Sequence, residues 1–170
     1  MAAKNIVVVE DESIVSKDIQ QSLKKLGYNV VGAAATGEKA IELVDKFEPD
    51  LVLMDIMLKG QMSGIDAAGA IKKRHNIPVI YLTAYADENT LSKAKVTEPY
   101  GYIIKPFKEV DIHTSIEMAL YKHEKNKEVE KERDLLFSIV DGQGAASDII
   151  FVKSKSRQVK LNTSEIYFRK

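Results

Sequence analysis

An α/β fold built on a five-stranded, doubly wound parallel sheet is predicted by three observations. Short apolar runs of strand length alternate with segments whose apolar residues recur at helical spacing. One run, Leu51-Val52-Leu53-Met54-Asp55-Ile56-Met57-Leu58, is almost continuously apolar, as a strand covered by helices on both faces should be. No proline interrupts a strand interior. Each parallel return needs a right-handed crossover, and the intervening helices supply it.

Ile6-Val7-Val8-Val9 reads as the first strand, and Val15, Ile19, Leu23 and Leu26 place a helix after it, with Gly27 where a left-handed cap belongs. Residues 28–33 make a second strand. Thr36-Gly37 opens a second helix whose inward face is Ala40, Ile41, Val44 and Phe47, and Pro49-Asp50 stops it before the strand that carries Asp55. Ile65, Ala68 and Ile71 mark a third helix, residues 78–82 a fourth strand, 87–96 a weaker helix and 100–104 a fifth strand. A fifth helix follows, with Ile112, Ile116, Ala119 and Leu120 inward.

The chain of 170 residues suits one ordinary domain with an appendage. Its net charge of zero gives no whole-chain sign of a nucleic-acid binder, and the absence of cysteine excludes disulfides and thiolate metal sites. The first residues lead directly into a strand, with no signal peptide and no membrane-spanning apolar stretch, so a soluble cytoplasmic protein with no membrane association is expected.

In doubly wound sheets the ligand crevice lies beyond the carboxyl ends of the strands. The polar residues expected there are Glu10 and Asp11 after the first strand, Asp55 at the third, Thr83 after the fourth and Lys105 after the fifth. Each alone is ordinary: an acid starting a turn, a helix cap, a surface lysine. Together they are not. Three converging carboxylates repel one another unless a hard cation lies between them, and a few oxygens completed by waters suit Mg²⁺. Lys105 offers a point charge to an anion, and the Thr83 hydroxyl can donate a hydrogen bond to a phosphoryl oxygen.

These residues resemble the receiver domain of two-component response regulators. The matching pieces are Val9-Glu10-Asp11-Glu12, Leu53-Met54-Asp55-Ile56, Tyr81-Leu82-Thr83-Ala84 and Gly101-Tyr102-Ile103-Ile104-Lys105-Pro106-Phe107, in family order across about residues 4–122. The resemblance implies a flavodoxin-like receiver fold in which Asp55 accepts a phosphoryl group from a histidine kinase or phosphotransfer protein. It also implies that Glu10, Asp11 and Asp55 hold magnesium with the Met57 backbone carbonyl, that Thr83 and Lys105 bind the phosphoryl group, and that small Ala84 leaves its path open. Tyr102 takes the place of the family's switch aromatic, and the Lys105-Pro106 peptide is a cis candidate. Such a chain catalyses only its own phosphorylation and dephosphorylation. A haloacid dehalogenase-type phosphatase would need an acid where Met57 stands. Two departures bear on the metal: the loop from Asp55 to Gly64 is one residue longer than usual and lacks the common proline, and Glu10 stands where many members have aspartate.

Beyond the receiver, residues 123–146 read as a charged helical linker that ends in an apolar cluster, Leu135, Leu136, Phe137, Ile139 and Val140, able to pair with a second copy on phosphorylation. Residues 147–170 read as a short β-rich segment that looks like the opening of a LytTR-type DNA-binding domain, with a PAS-like sensor fragment as the alternative. Six basic residues against two acidic suit phosphate contacts, but the segment is too short for a core of its own. DNA binding is therefore expected only where a complete output domain is present. A stand-alone phosphorelay receiver is the other reading of the whole.

Overall fold

The computed structural model describes residues 2–84 and 87–142, with side chains through Ile139. The elements are β1 (Asn5–Val9), α1 (Ser13–Lys25), β2 (Asn29–Ala34), α2 (Gly37–Phe47), β3 (Leu51–Asp55), α3 (Gly64–Arg74), β4 (Val79–Thr83), α4 (Glu88–Lys95), β5 (Gly101–Ile104) and α5 (Glu109–Gly142). The strands form one parallel sheet in the order β2-β1-β3-β4-β5. The chain winds to one edge through β2 and then crosses to the other side from β3 onward, which puts the topological switch between β1 and β3.

Alternate strand residues point to opposite faces, and this period of two divides the core. Val7, Val9, Val52, Met54 and Tyr81 pack with Ala40 and Val44 of α2, Ala67, Ala68 and Ile71 of α3 and Ala94 of α4. Ile6, Val8, Leu51, Leu53, Ile80, Leu82 and Ile103 pack with Ile19 and Leu23 of α1 and Ile112, Ile116 and Ala119 of α5. Burial on both faces is why β1, β3 and β4 carry almost no polar residue until their carboxyl ends.

Local chemistry sets the helix ends. The Thr36 hydroxyl accepts from the Lys39 amide at 3.2 Å, Ser63 and Asp66 form a reciprocal capping box, and Asp87 accepts from the Thr90 amide. Gly27 at φ +95° follows α1 as a left-handed residue. At the end of α2 that conformation falls on Glu48, whose amide still reaches the Val44 carbonyl before Pro49 prevents continuation.

Several expectations need correction. Phe47, expected inward, is 40% exposed at the last position of α2, where Lys46 reaches over its ring. On α1 the expected face of Val15, Ile19, Leu23 and Leu26 does pack into one core cluster, with Val15 and Leu26 half-buried at its edge and Ser16 buried as well. Thr83 is the last residue of β4 rather than a residue beyond it. His123, grouped with the solvated linker, is buried against Tyr100, their rings edge-on at 5.7 Å.

The chain divides into two compact units, Met1–Glu124 and Lys125–Lys170. Helix α5 continues to Gly142, and from residue 124 to 139 every side chain is exposed, as a charged helix predicts. Residues 143–146 and the β-rich segment read at 147–170 lie outside the described residues.

Candidate functional site

Strand register brings the site together before any side chain is considered. Val9 pairs with Met54, so Glu10 and Asp55 stand side by side one step further along. Asp55 pairs with Leu82 and Thr83 with Ile104, so Thr83 and Lys105 complete a row across the ends of β1, β3, β4 and β5. The Lys105 amide donates to the Thr83 carbonyl at 2.8 Å, which extends the ladder to the lysine itself. Lys105-Pro106 is cis, and the chain turns away from the sheet there.

Within this row, carboxylate oxygens of Glu10, Asp11 and Asp55 lie within 4.8 Å of one another. Glu10 and Asp55 are buried, at 2% and 4% exposure, so water does little to screen their mutual repulsion. The Lys105 ammonium donates to Glu10 Oε1 at 2.6 Å and to Asp55 Oδ2 at 2.8 Å. Burial alone would lower the Lys105 pKa, but the hydrogen bonds and charges of Asp55 and Glu10 outweigh it and hold the pKa above the usual lysine value. One ammonium against three carboxylates leaves net negative charge in a small pocket, and an oxygen-only donor set of this kind fits a hard divalent cation.

Main-chain donors orient the acids. The Met57 amide donates to Asp55 Oδ1 at 3.0 Å, the Glu12 amide to Glu10 Oε2 at 3.1 Å and the Lys59 amide to Asp11 Oδ2 at 3.0 Å. Thr83 is buried and Ala84 beside it is exposed. Tyr102 stands further off, half-buried beside Tyr81, with ring centroids 6.0 Å apart; burial raises its phenol pKa. Tyr81 in turn shares a 2.6 Å hydrogen bond with Thr97 just past α4, so β4, β5 and the end of α4 are linked on one side of the site.

A model of the response regulator receiver domain matches residues 6–117. The chain belongs to this receiver family. The receiver is 33% identical over 117 residues to the transcriptional regulatory protein PdtaR of Mycobacterium tuberculosis, covering 69% of this chain and 57% of that protein. It is 31% identical over 163 residues to the uncharacterized transcriptional regulatory protein YrkP of Bacillus subtilis, covering 96% of this chain and 69% of that one. Among solved structures it is similar to the signal receiver domain of a modulated diguanylate cyclase from Desulfovibrio desulfuricans, at TM-score 0.70 and 34% identity over 73% of this chain and 98% of that one. The chain thus spans little more than half the length of PdtaR, and the receiver match stops short of residues 147–170. The LytTR-like expectation for that segment gains no support from these comparisons.

Three participants were not singled out from the sequence. A Cβ on Gly64 would lie 1.9 Å from the Asp55 carbonyl oxygen, so the first residue of α3 must be glycine for β3 to end where it does. The amides of Glu12 and Lys59 hold carboxylates, and main-chain donors leave no mark in residue identity. Sequence reasoning used Gly64 only to mark the end of the loop after Asp55, because a glycine directly after a capping serine is a common pattern that says nothing of close backbone approach.

Proposed function

We propose that this receiver is a phosphorylation switch in which Asp55 takes a phosphoryl group from a histidine kinase or phosphotransfer protein. The observation that carries the reading is the Lys105 bridge from Glu10 to Asp55 inside the acidic cluster. The Asp55 carboxyl lies beside the Lys105 ammonium, with Oδ1 accepting from the Met57 amide and Oδ2 from Lys105, so it is oriented for attack on an incoming phosphorus. As the new oxygen–phosphorus bond forms, the phosphorus–nitrogen bond to the donor imidazole breaks, and the imidazole leaves with its proton. Glu10, Asp11, Asp55 and the Met57 carbonyl would hold magnesium, which when bound would neutralise charge on the transferring group.

Thr83 and Lys105 then hold the phosphoryl oxygens. Movement of Thr83 toward them opens space for Tyr102, whose half-buried position suits two rotamers of similar energy. The chain acts only on itself, turning over its own aspartyl phosphate. Its readout is pairing with a second copy: Val96, Ile104, Val110 and Met118 are exposed around α4, β5 and α5, and the same helix carries exposed Val129, Leu135, Leu136 and Phe137. A transcriptional output follows the printed names of PdtaR and YrkP, and it requires a complete DNA-binding domain. The cytoplasm, where phosphodonor kinases present their phosphohistidine, is the compartment this function needs. Among the described residues no helix is long and apolar enough to cross a membrane.

The test is intact-mass measurement after treatment with acetyl phosphate and Mg²⁺. A single phosphoryl adduct that disappears in Asp55→Asn supports the reading, and an adduct that persists in that variant overturns it.

A further inference from the structure

Helix α4 is fastened most firmly at its carboxyl end. Its one buried residue is Ala94, in the last turn, which belongs with Tyr81 of β4 to the core on that face of the sheet. Tyr81 is fully buried and brings its hydroxyl within 2.6 Å of Thr97 Oγ1, and that oxygen also reaches the Ala94 carbonyl at 2.7 Å. The Thr97 amide donates to the same carbonyl at 3.1 Å, and the Glu98 amide to the Lys95 carbonyl at 2.9 Å. Glu98 then takes φ +51°, a left-handed turn costly for a residue other than glycine, with its carboxylate paired to Lys72 of α3. The Thr97 methyl faces Gly69 on that same helix, where an added Cβ would lie 3.9 Å from it. Strand β4 and helix α3 thus both hold the carboxyl end of α4.

The amino end is held differently. Among the described residues its side-chain hydrogen bonds are local, from the Thr90 amide and hydroxyl to Asp87, and residues 87–89 are exposed. Yet this end lies next to the site in the chain, since Asp87 follows Thr83 by four residues. Tyr81 and Thr83 lie on the same face of β4, and Tyr81 pairs with Tyr102 on β5. A displacement of Thr83 is therefore delivered to the amino end of α4, while Tyr81 grips the other. Resting on the switch reading above, we infer that α4 is a lever hinged at Thr97, with the Tyr81 hydroxyl as its pin. Phosphorylation swings residues 88–91 and leaves 96–98 in place, so Val96, 80% exposed beside the hinge, is a fixed part of the pairing face. Tyr81 is a positioning residue that acts through Thr97 and takes no part in phosphoryl transfer.

Residue-resolved amide exchange of the full chain, with and without beryllofluoride and Mg²⁺, tests this. Tyr81→Phe removes the hydroxyl and keeps the ring. Without beryllofluoride it should speed exchange of the Thr97 and Glu98 amides about fivefold, the scale of one net hydrogen bond, and leave residues 88–91 as in wild type. With beryllofluoride, wild-type exchange should change at 88–91 and hold steady at 96–98, whereas in Tyr81→Phe the change should spread to 96–98. A residue that only fills the core would raise exchange generally and leave the response where it was. Thr97→Val keeps the branched shape, removes the other hydroxyl and should give the same spread, so either variant serves if the other does not fold. Folded variants whose Thr97 and Glu98 amides exchange at the wild-type rate overturn the inference, as does a wild-type response as large at 96–98 as at 88–91. A wild-type chain that responds nowhere to beryllofluoride and Mg²⁺ overturns the switch reading and the lever with it, while the comparison without beryllofluoride still judges the Tyr81 pin by itself.

Discussion

Gly64→Ala is the substitution on which the geometry bears hardest. The new Cβ would sit 1.9 Å from the Asp55 carbonyl oxygen, 2.8 Å from its carbon and 3.0 Å from the Ile56 Cα. All three are backbone atoms, so no side chain can swing aside. Reaching even a 3.0 Å contact requires a displacement of 1.1 Å. Either the start of α3 recoils and the Gly64–Ile56 hydrogen bond is lost, or the end of β3 moves and takes the Asp55 carboxylate with it. A misplacement near 1 Å at a reacting group costs about 100-fold in rate, so labelling by acetyl phosphate should slow by about that factor. Overpacking of this kind costs about 3 kcal/mol, and the melting temperature should fall by about 10 °C. Gly69→Ala on the same helix is the control: its Cβ would meet only Thr97 Cγ2 at 3.9 Å, and helix propensity should stabilise the chain by about 1 kcal/mol. Initial rates from intact-mass time courses, with melting curves by circular dichroism, read both effects. A Gly64→Ala protein that labels at the wild-type rate and melts no lower than Gly69→Ala would refute the reasoning.

Four further outcomes follow from the site and its surroundings. Asp55→Asn keeps nearly the same shape at a buried position and should abolish phosphoryl uptake while leaving the melting temperature close to wild type, measured by mass and by melting. Lys105→Ala leaves Glu10 and Asp55 facing each other without their counter-ion, so it should lose about 3 kcal/mol in chelator and recover part of this in Mg²⁺. It should also erase the phosphorylation-dependent change in amide exchange at α4 and β5. Burial pushes the Tyr81 phenol up to about 12, against a partial lowering by its Thr97 hydrogen bond. The folded state therefore binds this proton more tightly than the unfolded chain. The stability it contributes is complete below about pH 10 and is lost as pH rises toward 12, and Tyr81→Phe should flatten that part of the alkaline stability curve in denaturant titrations. Finally, light scattering with beryllofluoride and Mg²⁺ should show dimers at micromolar concentration; a chain that stays monomeric at high micromolar concentration in both states would exclude the pairing readout.

The fold and most of the site were legible in residue types because parallel strands buried on both faces tolerate polar side chains only at their ends. Once Ile6 to Val9, Leu51 to Met54 and Val79 to Leu82 read as continuous apolar runs, the placement of Glu10, Asp55 and Thr83 followed from chain order alone. Glycine and proline punctuation did the same for the helix ends at Gly27 and Pro49. Helix faces were less secure: Phe47 has the spacing of a core residue, yet as the last residue of α2 it is left 40% exposed.

Tertiary structure alone decided three things. Register set the level of each strand end, so only the pairing of Val9 with Met54 and of Thr83 with Ile104 shows that Lys105 reaches both Glu10 and Asp55. Close backbone approach made Gly64 indispensable to the position of Asp55. Main-chain donors from Glu12, Met57 and Lys59 oriented the acids. The physical reason is common to all three. Side-chain chemistry is written in residue identity, whereas backbone position and backbone hydrogen bonding are the same for nearly every residue and acquire meaning only when distant segments meet.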